Sequence, residues 1–132
     1  ISSYSGSDYV VYAPIKVQSW GTGNKYSGVI GKYVDSNNYY VMRYNHNVGK
    51  LQIVKVKNGV EQVLSESAFS WVLGTVHQVK CVFGSNGKLD FHIWGGYSPK
   101  ATATDTEFTT GNAGYYGSGA NAKFDDILIT LR

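Results

Sequence analysis

The sequence predicts an all-β fold, a two-sheet antiparallel sandwich of the jelly-roll type. The chain of 132 residues contains 16 glycines, 11 tyrosines and few strong helix formers, a balance that favours strands. Apolar and polar residues alternate over short runs, and turn residues recur roughly every ten positions. That spacing is typical of a sandwich with roughly nine or ten short strands rather than of a parallel-sheet fold.

The bulk composition indicates a single domain spanning residues 1–132. Hydrophobic residues make up 42% and charged residues 16%, which excludes the disordered class. The net charge of +3 would suit an anionic partner but falls short of the concentrated basic surface that a nucleic-acid partner requires. No apolar run reaches transmembrane length, so we expect no membrane partner. The sequence shows no signal peptide at Ile1, so we expect any targeting segment to lie outside it. We expect the chain to be a module excised from a larger protein, and to be a monomer.

The clearest element is a hairpin within residues 28–45. Two runs rich in β-branched and aromatic residues, 29–34 and 39–44, flank the polar turn Asp35-Ser36-Asn37-Asn38. Side chains alternate along a strand, so the second run has two distinct faces. We expect one face to carry Tyr40, Met42 and Tyr44, and the other to carry Tyr39, Val41 and Arg43.

A half-buried strand precedes this hairpin at residues 9–17. Its outward face carries Tyr12 and Lys16. Pro14 argues for an edge position or a bulge, because proline cannot donate to a ladder. We expect residues 1–8 to form a loop or a frayed edge, and residues 19–27 to form a loop that carries Trp20.

Two Asn-Gly turns predict two further hairpins. Asn58-Gly59 joins residues 51–57 to residues 60–64, and Asn86-Gly87 joins Val76–Phe83 to a strand that reaches Trp94. Residues 65–73 form a connection with room for one helical turn, and residues 95–110 form a long polar loop that carries Tyr97. Residues 122–131 close the chain as a strand with a bulge at Asp125-Asp126.

The positions of the single cysteine and the three histidines predict an inert thiol and no histidine metal site. Cys81 lies in the inward register of its strand, which predicts a buried, inert thiol and excludes a disulfide framework or a cysteine-based zinc site. His46, His77 and His92 are widely spaced, which favours turn and surface histidines over metal ligands.

The order of these motifs resembles that of concanavalin A-like, laminin-G-like jelly-roll domains. Three stretches carry the resemblance, and together they cover most of the chain from Asp8 onwards. They are Ser27-Gly28-Val29-Ile30-Gly31-Lys32-Tyr33 with Asp35-Ser36-Asn37-Asn38-Tyr39-Tyr40, then Leu51-Gln52-Ile53-Val54-Lys55-Val56-Lys57-Asn58-Gly59-Val60, and the tail Gly111-Asn112-Ala113-Gly114-Tyr115-Tyr116 with Ala122-Lys123-Phe124-Asp125-Asp126-Ile127-Leu128-Ile129. Domains of this kind often have a further strand before residue 9, so we expect the chain to be a piece of its parent.

The resemblance implies a non-catalytic carbohydrate-binding module that attaches a secreted enzyme to a polysaccharide. The implied partners are a polysaccharide or oligosaccharide and a parent catalytic domain in the same polypeptide. In related modules an aspartate beside an aromatic residue at the start of the last strand helps to hold a structural Ca²⁺, so Asp125 and Asp126 are the candidate metal ligands. The competing role for this pair is a bulge whose carboxylates cap backbone amides.

Candidate sugar-binding residues come from the outward positions of the predicted strands. Sugars bind to aromatic faces and planar polar groups, and lysine and arginine join these when the sugar is a uronate. We therefore expect an acidic plant or microbial glycan as the ligand. The candidates are Tyr12, Lys16, Lys32, Tyr39, Arg43 and Trp94, with Trp20 and Tyr97 on flanking loops.

Two other classes of function compete with sugar binding. Glycoside hydrolysis requires two carboxylates roughly 5–10 Å apart, but Glu61 and Glu66 fall on opposite faces of a straight strand. Asp105 and Glu107 lie in a threonine-rich loop without a hydrophobic pocket to raise a pKa, so we expect no enzyme. A protein-interaction or adhesion domain of the laminin-G type remains the alternative, and it would expose a contiguous apolar patch.

Overall fold

The computed structural model describes residues 5–93, 100–124 and 128–131. In these residues the chain forms twelve strands and no helix, so they contain no helix able to span a membrane. The strands are β1 (Ser5–Gly6), β2 (Tyr9–Trp20), β3 (Tyr26–Asp35), β4 (Asn38–Asn45), β5 (Lys50–Lys57), β6 (Val60–Ala68), β7 (Val76–Phe83), β8 (Lys88–Ile93), β9 (Ala101–Thr104), β10 (Gly111–Ser118), β11 (Ala120–Phe124) and β12 (Leu128–Leu131).

The strands form two antiparallel sheets, which confirms the predicted two-sheet sandwich. Sheet A has the strand order β1-β10-β3-β4-β5-β6. Sheet B has the order β11-β2-β7-β8-β9, and β12 also pairs with β2, opposite its first residues. Successive hairpins join β3 to β6 within sheet A and β7 to β9 within sheet B. The connections from β1 to β2, β2 to β3, β6 to β7, β9 to β10 and β10 to β11 cross between the sheets.

The core lies between the two sheets. Tyr40, Met42 and Tyr44 of β4 point into it, as the alternation of that strand predicts, and Tyr39, Val41 and Arg43 point away. Sheet B contributes the inward residues of β2, β7 and β8, among them Cys81, whose thiol pKa is raised by complete burial. Burying one large apolar side chain stabilises the fold by about 1.5–3 kcal/mol, so this inward set is the main source of stability.

The predicted hairpin turns are confirmed. The turn between β5 and β6 has φ angles of 52° at Asn58 and 78° at Gly59, the positive values that a tight hairpin connection requires. Asp35 accepts a hydrogen bond from the Asn37 backbone N–H (2.9 Å), which closes the turn between β3 and β4. The turn before β8 also contains a positive-φ glycine, Gly87 at 75°.

Several strand boundaries differ from the prediction. β2 is not an edge strand, because it lies between β7 and the pair β11 and β12, and it extends to Trp20 rather than ending before a loop. β6 continues to Ala68, and no helical turn follows it. β9 lies within the predicted long loop, where its short Ala-Thr alternation gives little hydrophobic signal, and it pairs with β8 at the edge of sheet B.

A bulge in β3 overturns the predicted outward position of Lys32. Its φ is 46°, and the pairing of β3 with β4 is irregular between Gly31 and Asp35. Both Gly31 and Lys32 therefore face the interior, where Lys32 is 1% exposed and its Nζ donates a hydrogen bond to the carbonyl of Gly84. Burial lowers the pKa of Lys32, and the Lys32 backbone N–H donates to the hydroxyl of Tyr9 (2.7 Å).

Candidate functional site

The outward side of sheet A combines half-buried tyrosines with a connected group of polar side chains. We call it the arginine face. It is formed by Tyr26 of β3, Tyr39, Arg43 and Asn45 of β4, Gln52 of β5, Glu61 and Glu66 of β6, and Tyr116 of β10.

An apolar layer on the same side of the sheet supports the tyrosines. Ile30, Val41, Val54 and Val56 form a small buried cluster that is separate from the main core. Tyr39 and Tyr116 pack against it together with Tyr33, whose ring stacks on that of Tyr39 with centroids 5.7 Å apart. Rings held this way lose little further entropy when a ligand contacts them.

Arg43 is the centre of the arginine face. It is 2% exposed, and its guanidinium carbon lies 3.9 Å from the centroid of the Tyr26 ring. Its two terminal nitrogens donate to the two carboxylate oxygens of Glu61 at 2.9 and 3.1 Å, a bidentate pair. The Glu61 side chain is 43% exposed, so the carboxylate connects a buried cation to solvent.

The polar contacts continue from Arg43 along the face. Arg43 Nε donates to Gln52 Oε1 (3.1 Å), and Asn45 Nδ2 donates to the same oxygen (3.2 Å). Gln52 Nε2 donates to Glu66 (2.8 Å), which also accepts a bond from Lys50 (3.1 Å). The amide of Gln52 is therefore fixed from both sides, and the chain of bonds orients both carboxylates.

The protonation states follow from these contacts. Burial opposes the charge of Arg43, but the hydrogen bonds and the charge of Glu61 outweigh it and raise the pKa of Arg43. Hydrogen bonds from Gln52 and Lys50 lower the pKa of Glu66. Burial raises the pKa of Tyr39 and of Tyr116. At neutral pH the Glu66 carboxylate is therefore ionised, and the hydroxyls of Tyr39 and Tyr116 are protonated.

This arrangement suits the recognition of hydroxyl groups beside an apolar ring surface. Each Glu61 oxygen has a lone pair beyond the one that Arg43 occupies, and a carboxylate accepts hydrogen bonds from hydroxyl groups. The half-buried rings of Tyr26, Tyr39 and Tyr116 offer apolar faces beside this acceptor.

Of the six predicted sugar-binding residues that the structure describes, it brings together Tyr39 and Arg43. Tyr12 and Lys16 lie on the outward side of sheet B, in β2, and Lys32 is in the interior. Trp20 ends β2 and packs on Tyr44 and His46 at one end of the sandwich. The remaining candidates, Trp94 and Tyr97 for sugar and Asp125 and Asp126 for metal, lie outside the described residues.

Sequence reasoning missed Tyr26, Gln52, Glu61, Glu66 and Tyr116. Glu61 could have been found, because the Asn58-Gly59 turn sets its pairing with Val56, an outward position. The prediction that Glu61 and Glu66 lie on opposite faces holds only for a straight strand. A register shift between Ile53 and Val54 puts one extra residue into β6, and both glutamates therefore lie on the outward side.

A second polar cluster fastens the connection between β9 and β10. The Asp105 carboxylate accepts hydrogen bonds from the Tyr40 hydroxyl and from Lys55 Nζ (2.9 Å), and the Tyr40 hydroxyl in turn accepts one from the Phe108 N–H (3.2 Å). Burial raises the pKa of Asp105, but these hydrogen bonds outweigh it and hold that pKa below its usual range. The cluster fixes a loop rather than presenting a reactive group.

Comparison with known proteins shows the fold but no family. No family model matches the chain, and no curated protein matches it. The carbohydrate-binding module CBM66 from Bacillus subtilis superposes with a TM-score of 0.84 at 20% identity, over 98% of this chain and 78% of that one. The GH43 protein BlXynB from Bacillus licheniformis gives a TM-score of 0.69 at 20% identity, over 96% of this chain and 28% of that one. Sheep galectin-11 gives 0.66 at 11% identity, over 96% of both chains.

Proposed function

We propose that the chain is a carbohydrate-binding module whose glycan lies on the arginine face. The observation that carries this proposal is the bidentate Arg43–Glu61 pair, held beneath the Tyr26 ring and beside the half-buried Tyr39 and Tyr116. An oriented acceptor next to apolar rings is what a sugar with hydroxyl groups on one edge requires. The similarity in fold to the module CBM66 and to a galectin supports the proposal.

We infer that the module is non-catalytic. Glu61 and Glu66 share a face, so geometry alone does not separate them from a hydrolytic pair. A general acid must hold its proton near neutral pH, however, and the pKa of Glu66 is lowered by the hydrogen bonds that it accepts. Both carboxylate oxygens of Glu61 accept hydrogen bonds from Arg43. This environment supports Glu66 as an ionised acceptor rather than as a general acid.

We also infer that the module belongs to a longer secreted protein with an enzymatic domain. The similar fold in BlXynB occupies 28% of that chain, which shows that such a domain can be one part of a GH43 protein. A module that binds the polysaccharide would keep its catalytic partner near the substrate, because linkage raises the effective concentration.

The geometry favours an uncharged glycan over the acidic one that the sequence suggests. The prediction of an acidic glycan requires Lys16, Lys32 and Arg43 to share one face, and of these three only Arg43 lies on the arginine face. Its charge is already paired with Glu61, and Lys50 is paired with Glu66. A uronate carboxylate would meet two carboxylates there without a free cation among the residues of the face, and that repulsion disfavours it.

Affinity gel electrophoresis against neutral and uronate-containing polysaccharides tests this function. We expect a neutral polymer to retard the chain and Glu61→Gln to weaken binding by about tenfold or more, because a hydrogen bond to a charged group contributes about 1.5–3 kcal/mol. Lys16→Ala, on the other face, is the matched control and should bind like the parent. A melting curve for each variant separates lost binding from lost folding.

Three other outcomes of that experiment would overturn part or all of the proposed function. Retardation by acidic polymers alone would overturn the uncharged ligand. Retardation by no polymer would overturn sugar binding and favour a protein-interaction domain. Release of reducing sugar by the parent chain, abolished in Glu66→Gln, would overturn the non-catalytic assignment.

A further inference from the structure

Four tyrosines on the outward side of sheet A form two stacked pairs. The rings of Tyr33 and Tyr39 have centroids 5.7 Å apart, and those of Tyr26 and Tyr116 have centroids 6.2 Å apart. All four side chains are half-buried, so each pair is held by its neighbours and still reaches solvent. We call them the Tyr39 pair and the Tyr116 pair. Two paired rings offer a larger apolar surface than one ring does, and such a surface suits the C–H groups of a sugar.

The strand register separates the two pairs along the strand direction. Tyr116 is opposite Gly28, and Gly28 is opposite Arg43, so the Tyr116 pair lies in the row of Arg43. Tyr39 lies on the same side of β4, four residues before Arg43, which corresponds to about 13 Å at roughly 3.3 Å per residue. A single sugar ring, built from bonds of about 1.5 Å, is shorter than this interval. The two pairs therefore suit two different sugar units.

The Arg43–Glu61 ion pair spans the interval between the two tyrosine pairs. Glu61 is opposite Val56, and Val56 is opposite Tyr39, so Glu61 starts in the row of the Tyr39 pair. Its carboxylate reaches Arg43, in the row of Tyr116, at 2.9 and 3.1 Å. The Glu61 side chain is exposed. A hydrogen-bond acceptor open to solvent therefore lies between two apolar platforms.

The arginine face is also divided lengthwise. Its tyrosines belong to β3, β4 and β10, whereas the polar side chains Gln52, Glu61 and Glu66 belong to β5 and β6. Because the strand order is β10-β3-β4-β5-β6, the rings and the polar groups form two parallel strips that follow the strands. A glycan chain laid along the strands would place its ring faces on one strip and its hydroxyl groups beside the other. A chain laid across the strands would leave one tyrosine pair without contact.

We propose that the arginine face binds a run of consecutive sugar units within a neutral polysaccharide chain, which lies parallel to β4 and contacts both tyrosine pairs. This binding mode rests on the proposed function of the face and adds the length and the direction of its ligand. A site for a single terminal sugar needs one aromatic platform beside its acceptor, whereas this face has one on either side of the Arg43–Glu61 pair. Once one pair is occupied, contact with the second is an intramolecular step, because the sugar units are linked.

Isothermal titration with oligosaccharides of increasing length tests this binding mode. The probes are cello-, xylo-, manno- and malto-oligosaccharides from the monosaccharide to the hexasaccharide, and the matching polymers are run in affinity gel electrophoresis. We expect the Kd of at least one series to fall by about tenfold or more between the monosaccharide and the hexasaccharide, and to level off once the chain reaches both tyrosine pairs.

Variants at the two ends of the face separate a long site from a short one. We expect Tyr33→Ala and Tyr116→Ala each to raise the Kd of the hexasaccharide about fivefold or more, because each removes one ring from a platform. At least one of the two should leave the Kd of the shortest oligosaccharide that binds unchanged, since a short ligand occupies one pair. Tyr33→Phe, which keeps the ring, and Tyr12→Ala, on sheet B, are the matched controls and should bind like the parent. Melting curves identify any variant that fails to fold.

The outcomes distinguish this binding mode from the proposed function on which it rests. A monosaccharide that binds as tightly as the hexasaccharide, and loses affinity in Glu61→Gln, overturns the extended ligand and leaves the proposed function intact. Loss of hexasaccharide affinity in Tyr116→Ala but not in Tyr33→Ala, with both variants folded, also overturns it, because the chain then stops short of the Tyr39 pair. If no series binds and none of the matching polymers retards the chain, the proposed function fails, and the extended ligand with it.

Discussion

The φ angle of Lys32 determines on which side of sheet A its ammonium group lies. Strict alternation from Ile30 places Lys32 outside, but its φ of 46° lies in the left-handed region, and the bulge sends two consecutive residues inward. The arginine face thereby lacks a cation that its sequence pattern suggests. This irregularity is thus one of the features that set the charge balance of the face.

The neighbouring Gly31 should be intolerant of any side chain. A Cβ at this position would lie 2.3 Å from atoms of the Phe83 ring, and Phe83 is fully buried in the core. We expect Gly31→Ala to lower the free energy of unfolding by about 1–3 kcal/mol, the range for overpacked cores. Gly117→Ala, where the nearest atom would be 3.8 Å away, is the control and should change it by less than about 0.5 kcal/mol. Equal denaturation midpoints for the two variants would contradict this packing.

At the scale of elements, the connection from β9 to β10 depends on one carboxylate. Asp105 bonds to Tyr40 of β4 and Lys55 of β5, and its side chain is 16% exposed, so the loop is fastened to sheet A from within. Because its pKa is held below the ordinary value of 3.8, the folded state binds a proton less readily than the unfolded state. Its contribution to stability is thus complete above that value and is lost as the pH falls through the folded pKa.

The variant Asp105→Asn tests this role of Asp105 through the pH dependence of the free energy of unfolding. We expect the variant to be less stable than the parent at pH 7 by about 1–3 kcal/mol, and the difference to shrink as the pH falls below 3.8. Urea denaturation at several pH values measures it. Glu107→Gln removes the more exposed pair with Lys57 and should cost less than about 1 kcal/mol. A difference that stays constant down to acid pH would argue against an ionised Asp105.

The same elements show how far sequence reasoning reaches. β4 alternates without interruption, so the outward positions of Tyr39 and Arg43 followed from the sequence. β6 contains an extra residue whose position depends on tertiary packing, so the common face of Glu61 and Glu66 did not. β9 is made of alanine and threonine, and only its pairing with β8 identifies it as a strand. Local pattern thus predicts regular strands, and contacts between strands decide the bulges on which the site depends.

At the scale of the molecule, the two outward faces differ in electrostatics. On the outward side of sheet A the cations Arg43 and Lys50 are paired with Glu61 and Glu66. The outward side of sheet B carries Lys16, Lys80 and Lys88, with Asp90 as the carboxylate among the outward residues described there. Part of the net charge of +3 is therefore found on the face that we do not assign to the glycan.

This separation predicts a weak dependence of glycan affinity on salt. A ligand on the arginine face meets paired charges, so we expect its Kd to change by less than about twofold between 0.01 and 1 M salt, where the Debye length falls from about 30 to 3 Å. Isothermal titration at several salt concentrations measures the change. A loss of affinity that grows steadily with salt would point instead to a polyanion on the lysines of sheet B.

The central claim is that the glycan lies on the outward side of sheet A, and backbone amide shift mapping with a bound oligosaccharide tests it most directly. The account predicts that the largest shifts fall in β4, β5 and β6 around Arg43, Gln52 and Glu61, with smaller shifts in β3 and β10 near Tyr26 and Tyr116. Shifts concentrated in β2, β7 and β8 instead, around Tyr12 and Lys80, would place the ligand on the opposite face and contradict it.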